Sequence, residues 1–250
     1  MSDRPLARGL GERIAITVEQ LGGAVPVDLE TLARDLGVRE IRTTRMTEDG
    51  RTTWTDGQPL IELRPDRPAE RRRFTLAHEI GHILISQDRT IVRRTAGANL
   101  AADDIEVLCD WIAASILMPR AWIEPYAFRE RYSLSLLRRV AHAAGVSMSA
   151  AAVRVAEVGG RTCALLRWKR TDARWVVVGQ AAMPPRYAGS IEATSETAQF
   201  LDGLPHRRDT WCELSITAGG ISLGGVAHAD RSRDTCMTLL TTLDAPGSGA

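Results

Sequence analysis

Apolar residues in the first half of the chain recur three and four positions apart, which is the spacing of an amphipathic helix. This pattern predicts a helix over 6–22 and a second one in "DLETLARDLG", with Asp28 as its N-terminal cap and Gly37 at its end. A longer helix is predicted for the segment that follows Pro68. The same spacing returns after a polar loop in "DDIEVLCDWIAASIL", and the proline two residues later ends it.

Shorter segments have the composition of strands. "VREIRTTRM", "RTTWT" and "PLIELR" are rich in Thr and Ile and are separated by turn residues, which predicts a small antiparallel sheet. Two helices joined at "GVS" are predicted at about 134–158, and beyond "VGGR" the segments "TCALLRW", "RWVVVGQA", "WCELSIT" and "GISLGGVA" resemble strands. We therefore expect an α+β protein with a mainly helical domain over 1–158, a smaller β-rich domain of unknown role over 161–243 and a disordered tail over 244–250.

Net charge and cysteine spacing argue against several broad classes. The 32 basic and 31 acidic residues give a net charge of +1, so no field of the whole molecule attracts nucleic acid or a membrane surface. The four cysteines lie far apart without a Cys-x-x-Cys pair, which argues against a cysteine-ligated zinc site. Because the sequence shows neither a signal-peptide core nor an apolar run of membrane-spanning length, we expect a cytoplasmic protein without a membrane partner.

The stretch "FTLAHEIGHILI" carries polar groups in an otherwise apolar helix. His78 and His82 are four residues apart, so they project from one face and can hold one metal ion. Glu79 projects about 100° away, where it stays off the metal and can take a proton from water. Gly81 leaves space that a neighbouring helix or backbone is expected to occupy. One histidine on such a helix is commonly a core residue, but two at ligand spacing favour zinc.

A catalytic zinc site needs a third protein ligand, and the next predicted helix offers one. Glu106 and Asp110 are four residues apart at the edge of the buried stripe of that helix, from which a carboxylate can reach a neighbouring helix. Asp110 would then accept a ring N–H of a liganding histidine. The spacing of Asp103 and Glu106 fits a capping box equally well. The remaining histidines are further candidates for the third ligand: His142, His206 and His228.

The pair of motifs "FTLAHEIGHILI" and "EVLCDWIAASILMP" resembles the ImmA/IrrE family of zinc metallo-endopeptidases. The resemblance covers about residues 25–158. In the second motif, Cys109 stands where the family commonly has Ala and Asp110 stands where it has Asn, while Glu106 is retained. The resemblance therefore extends to the position of the third ligand.

This resemblance implies a zincin-like fold and a specific set of roles. Glu79 would act as the general base and acid. A protein substrate is implied as the partner, in particular a DNA-binding repressor whose cleavage releases genes for a stress response. The zinc ligands implied by the resemblance are His78, His82 and Glu106.

Two other classes of function and several details stay open. The segment "SLLRRVAHAAGVSMSAAAVRVAEV" is similar to a helix-turn-helix unit, which would fit a DNA-binding transcriptional regulator, although its second helix has one Arg and one Glu. A zinc-binding interaction module without peptidase activity is the third hypothesis. "RTTWT" or "PLIELR" could bind an extended peptide by strand addition. Candidates for a group that stabilises the transition state are Tyr126, Tyr132 and His142.

Overall fold

The structure is a computed structural model. It describes residues 24–87, 102–172, 174–182, 191–204, 210–218, 221–232 and 234–244. The helix predicted over 6–22, most of the polar loop before the second motif and residues 245–250 of the predicted disordered tail lie outside these residues.

Helices account for most of the described chain before residue 160. They are α1 (Leu29–Asp35), α2 (Ala69–Gln87), α3 (Ala102–Leu117), α4 (Arg120–Arg129), α5 (Leu134–Ala144), α6 (Met148–Gly159) and, later, α7 (Ser195–Gly203). The Asp28 side chain accepts hydrogen bonds from two backbone N–H groups at the start of α1, and Gly37 adopts a φ of 84° just beyond its end. Both predicted helix boundaries are thus confirmed by the backbone.

A three-stranded sheet lies beside α2. Its strands are β1 (Glu40–Thr43), β2 (Gly50–Thr55) and β3 (Gln58–Leu63), in the spatial order β1-β3-β2. Strands β2 and β3 form an antiparallel hairpin around Asp56 and Gly57, which both have positive φ. The prediction of an antiparallel sheet was wrong for β1, which pairs with β3 in parallel. Because β3 is almost entirely buried, it takes the centre, and β1 occupies the side of β3 that the hairpin leaves open.

The C-terminal part of the chain is β-rich, as predicted. Its strands close into a barrel with neighbours in chain order, and β4 pairs with β9. The fully buried Trp168 fills the barrel interior and donates its indole N–H to the Thr238 hydroxyl at 2.9 Å. The strands are β4 (Cys163–Thr171), β5 (Arg174–Ala181), β6 (Ile191–Ala193), β7 (Thr210–Ala218), β8 (Ile221–Ser232) and β9 (Thr235–Asp244).

The chain divides into two compact units. One comprises 1–122 with 142–147, and the other comprises 123–141 with 148–250, so that the second unit contains helical segments as well as the barrel. The domain boundary expected near 158–161 stays a prediction. None of the described helices is long and apolar enough to cross a membrane.

A buried carboxylate cross-links all three strands of the small sheet. Glu62 on the central strand lies directly opposite Arg42 on β1 and Arg51 on β2. Its side chain is 4% exposed and accepts hydrogen bonds from both guanidinium groups at 2.6–3.2 Å and from the Thr44 hydroxyl at 3.1 Å. The hydrogen bonds from Arg51 and Arg42 lower the pKa of Glu62 to about 2. This carboxylate is therefore charged in the folded protein under all but strongly acidic conditions.

We expect Glu62→Gln to lower the free energy of unfolding by about 1–3 kcal/mol at pH 7, because hydrogen bonds to a charged group are lost. The folded pKa lies below the ordinary value of 4.5, so the stabilisation is complete above pH 4.5 and is lost as the pH falls towards 2. Urea denaturation across this range should show the two proteins converging in acid. Glu40→Gln, at an exposed position on β1, is the control and should have little effect. A gap between wild type and Glu62→Gln that stays constant down to pH 2 would contradict the assignment.

Candidate metal centre

Helices α2 and α3 pack closely at a glycine. A Cβ added at Gly81 would lie 3.3 Å from the Cα and 3.4 Å from the carbonyl oxygen of Cys109 on α3. The backbone of α3 thus occupies the space that the missing side chain leaves, which is the reason expected for a glycine inside this helix. Around this contact the apolar faces of both helices are buried, including Ile80 and Ile112 with no exposed surface. The close approach brings the polar edge of α3 to the histidines of α2.

The two histidines meet a pair of carboxylates from α3. His78 Nε2 lies 3.1 Å from Glu106 Oε2, and His82 Nε2 lies 3.4 Å from Glu106 Oε1, so each oxygen of one carboxylate faces one ring. His78 Nδ1 lies 2.8 Å from Asp110 Oδ1. The rings of His78 and His82 are 5.0 Å apart between centroids. The carboxylate of Glu106 therefore contacts the histidines rather than serving a backbone N–H at the start of α3.

A neutral His78 ring has one N–H and can donate it to only one of its two carboxylate neighbours. Its contact with the second carboxylate requires a positive charge. A neutral ring that donates its Nδ1–H to Asp110 turns the lone pair of Nε2 towards an oxygen of Glu106. Two lone pairs so placed need a proton or a metal cation between them. Burial of the ring opposes the charged form, but the hydrogen bond to Asp110 and the surrounding acidic groups outweigh it and raise the pKa of His78. The site thus attracts positive charge.

The types of these donor atoms suit a tetrahedral metal ion. Atoms at the corners of a tetrahedron with arms of about 2.0–2.2 Å lie roughly 3.3–3.6 Å apart. The distances from Glu106 to the two ring nitrogens, 3.1 and 3.4 Å, are near that edge length, but each is made by a different oxygen of the carboxylate. Asp110 is placed to fix the tautomer that leaves Nε2 of His78 free to bind a metal. Two imidazoles and one carboxylate therefore suit a metal with an open fourth position.

The structure also places Cys109 at this centre. Its sulfur and ring nitrogens of His78 and His82 all lie within 4.8 Å of one another. The thiol is fully buried in the interface between α2 and α3, and burial raises the pKa of Cys109, so that it stays protonated near neutral pH. The sequence argued against a cysteine ligand, because the four cysteines form no Cys-x-x-Cys pair and a cysteine among apolar helix positions gives no sign of a ligand. Its nearness to both rings makes it a second candidate for the third ligand.

Glu79 lies on the other side of the histidines and faces the sheet. The residue is 5% exposed, and its Oε2 accepts a hydrogen bond from the Thr52 hydroxyl on β2 at 2.7 Å. A Cβ added at Gly50 on the same strand would lie 2.9 Å from Glu79 Oε1. The sequence does not point to Thr52 or Gly50, because the packing of a strand on a helix far along the chain leaves no periodic signal. The carboxylate of Glu79 is thus held between α2 and β2.

An open cleft of about 740 Å³ contains this centre. Strand β2 forms one wall of the cleft. Trp54, near the C-terminal end of this strand, is 49% exposed. Charged side chains near the mouth include Asp49, which pairs with Arg71 at 2.7 Å. The cleft is lined in part by His78, Glu79, His82, Glu106 and Asp110. The five residues singled out in the sequence therefore share one solvent-accessible cleft.

One edge of strand β2 has no strand partner within the part of the chain that the structure describes. The carbonyls of Pro59 and Leu63 accept hydrogen bonds from the β1 side, so these residues do not bond to β2. Their partners in the β2–β3 register are Trp54 and Gly50. Because peptide groups alternate between the two sides of a strand, Gly50, Thr52 and Trp54 direct their N–H and C=O groups away from β3. Among the described strands β2 pairs with β3 alone, so these outward groups have no strand partner there.

Other residues considered from the sequence do not join this centre. The hydroxyl of Tyr132 donates to the carbonyl of Val155 at 2.7 Å within the second unit. His142 is exposed near the end of α5 and does not line the cleft. His206 and the side chain of His228 lie outside what the structure describes. None of the three candidates for a transition-state donor, Tyr126, Tyr132 and His142, is among the described residues that line the cleft.

Comparison with known proteins identifies the domain that carries this centre. Residues 33–156, about half of the chain, match the family described as the IrrE N-terminal-like domain. This part of the chain belongs to the ImmA/IrrE family. The resemblance seen in the two helix motifs is thereby confirmed, and the family is described as one of peptidases.

Two individual proteins extend the comparison. The radiation response metalloprotease IrrE of Deinococcus radiodurans is 35% identical over 106 residues, which cover 39% of this chain and 32% of that protein. The match thus spans about a third of the length of that relative. A solved Mycobacterium tuberculosis transcriptional regulator has a TM-score of 0.55 over 93% of this chain and 75% of its own, at 16% identity. At that identity, the second comparison shows a similar fold alone.

Proposed function

We propose that the protein is a zinc-dependent endopeptidase that cleaves a specific regulatory protein, such as a DNA-binding transcriptional repressor. The observation that carries this proposal is the joint position of two histidines, one carboxylate shared between them and the separate carboxylate of Glu79 in one open cleft. Membership of a metalloprotease family supports the reaction class. The repressor follows from the family resemblance, and the named role of the Deinococcus relative in a radiation response supports a link to stress.

Each residue of the cleft has a role in this proposal. His78, His82 and Glu106 hold the metal, and two imidazoles with a carboxylate suit zinc. Asp110 accepts the Nδ1–H of His78 and so orients that ring. Zinc held there would supply a Lewis acid that activates water for attack on a peptide carbonyl. Glu79 accepts the proton of that water and delivers it to the leaving amine.

Glu106 is preferred to Cys109 as the third ligand. Its two oxygens lie 3.1 and 3.4 Å from the Nε2 atoms of His78 and His82, whereas the cysteine is fully buried between the helices. The Glu106 side chain is 58% exposed and therefore reaches the metal from the solvent side of the cleft. A neutral thiol must also lose its proton before it can bind zinc, and burial opposes that loss.

We expect Glu106→Ala to weaken zinc binding by more than about 100-fold, since loss of a ligand exceeds the 10–100-fold cost of losing a group that only supports one. Cys109→Ala, three residues farther along the same helix, is the matched variant. It should bind near one zinc per chain, as wild type does. Equilibrium competition with a chromophoric chelator measures both affinities. The opposite pattern, with zinc lost from Cys109→Ala and kept by Glu106→Ala, would replace the proposed ligand set by one of two histidines and a cysteine.

We expect Glu79→Gln to retain zinc and to lower the rate of substrate cleavage by about 10²–10⁴-fold, because the amide cannot accept the proton. The inactive variant can first capture the substrate from a cell extract, and the captured protein is then incubated with purified wild type and variant. Cleavage is followed by electrophoresis and mass spectrometry. Cleavage by the variant at the wild-type rate would contradict the role of Glu79. A wild-type protein that binds zinc and the partner but leaves it intact would instead be an interaction module.

We propose further that the substrate binds as an extended strand along the free edge of β2. The outward N–H and C=O groups of Gly50, Thr52 and Trp54 supply main-chain hydrogen bonds, as in other cases of strand addition. Thr52 also contacts Glu79, so a peptide on this edge passes beside the proposed base. Trp54 lies two residues farther along the same face of the strand and offers an exposed aromatic surface in the cleft.

We expect Trp54→Ala to raise the KM for the captured substrate by about tenfold with little change in kcat, because a buried aromatic contact in a complex is worth about 1–2 kcal/mol or more. Phe128→Ala removes another exposed aromatic residue, which does not line the cleft, and should leave KM unchanged. Steady-state kinetics with purified substrate and each purified variant measures KM and kcat. An equal KM for wild type and Trp54→Ala would place the substrate elsewhere.

The described helices give little support to the alternative of a DNA-binding regulator. Helix α6, whose residues are all described, has Arg154 as its one basic residue. Arg154 is buried and pairs with Glu157 at 2.9 Å, so it is not available to bases or phosphates. The exposed part of α6 includes Val153 instead of a cation. Helix α6 therefore lacks the surface that a recognition helix needs.

A further inference from the structure

The carboxylate of Glu79 is fixed by a side chain that no catalytic motif includes. Thr52 Oγ1 lies 2.7 Å from Glu79 Oε2 and 3.5 Å from the Glu79 backbone carbonyl. A hydroxyl has one proton to donate, and the shorter distance and the negative charge direct it to the carboxylate. Oε2 is thus occupied by a charge-assisted hydrogen bond. Among the described residues, no donor is bonded to Oε1.

The strand also confines this carboxylate by shape. A Cβ at Gly50 would lie 2.9 Å from Glu79 Oε1 and would clash with Thr75 Cγ2, so β2 approaches α2 as closely as its backbone allows. Thr75 is itself held, since its hydroxyl donates to the Arg71 carbonyl at 2.9 Å. Glu79 therefore lies in a slot with the backbone at Gly50 on one side and the hydroxyl of Thr52 on the other.

We infer that Thr52 is a positioning residue for Glu79: the Thr52 hydroxyl holds Oε2 and so leaves Oε1, beside the cleft-lining Gly50, as the oxygen that takes the proton. This inference rests on the proposed peptidase function. A glutamate side chain has several rotatable bonds, and the hydrogen bond restricts it to one orientation before substrate arrives. Proton transfer depends on such alignment, since small misplacements of a reacting group can lower rates strongly.

Three variants of β2 test the inference by kinetics. Thr52→Val keeps the shape but removes the hydroxyl, and we expect kcat to fall by roughly 10–100-fold while KM stays within about twofold. Thr52→Ser restores a hydroxyl and should bring kcat back to within a few-fold of wild type. Thr53→Val makes the same chemical change one residue along, where the side chain points to the opposite face, and should behave as wild type. All three should keep their zinc.

A second measurement does not depend on activity. The free energy of unfolding of the metal-free chain is measured for wild type, Thr52→Val, Glu79→Ala and the double variant. We expect the two changes to be coupled by roughly tenfold in the unfolding equilibrium constant, as for a hydrogen bond to a charged group. The pair of Thr53→Val with Glu79→Ala should be additive. Additive effects for Thr52 and Glu79 would overturn the inference.

The outcomes separate this inference from the proposed function. If Glu79→Gln loses cleavage while Thr52→Val keeps the wild-type kcat, Thr52 is not a positioning residue and the peptidase proposal stands. A Thr52→Ser variant as slow as Thr52→Val would also overturn the role of the hydroxyl. If wild type cleaves no peptide, the catalytic role falls together with the proposed function, and the coupling in the metal-free chain then shows a purely structural contact.

Discussion

The close packing of α2 on α3 is the constraint on which the metal centre depends. Each helix alone presents polar groups at one edge of an apolar stripe, and neither holds enough ligands for a catalytic metal. At Gly81 the two backbones approach until a single added carbon would press on Cys109. That approach places one carboxylate of α3 across both imidazoles of α2 and a second one behind the first ring. Burial of apolar side chains thus supplies the free energy that assembles charged ones.

Helix α2 directs its proposed metal ligands to α3 and its proposed base to the sheet. Successive residues point about 100° apart around a helix, and this separation directs His78 and Glu79 to different neighbours. The histidine face meets α3, while Glu79 meets the sheet at Thr52. Ligands and base are therefore held by different parts of the fold, although they are adjacent in sequence. A change in α3 would therefore affect metal binding, whereas a change in β2 would affect the position of Glu79.

Sequence and structure agree where the information is local. The spacing of His78, Glu79 and His82 depends on one helix, and helical periodicity was sufficient to place them correctly relative to one another. The role of Glu106 stayed open on spacing, because a capping box and a contact with a neighbouring helix require the same residues. Thr52 and the parallel pairing of β1 could not be predicted, since both depend on which strand lies against which element. Periodicity within one segment does not encode the register between segments.

The edge strand of the sheet is held from both faces at adjacent residues. The side chain of Arg51 binds the buried Glu62 on one face, and that of Thr52 binds Glu79 on the other. An edge strand with one neighbour is commonly the least restrained strand of a sheet, but these two contacts fix its position relative to the base. A peptide that adds to a strand already ordered loses only its own freedom. The interactions that orient the proposed base therefore also prepare the surface on which a substrate would lie.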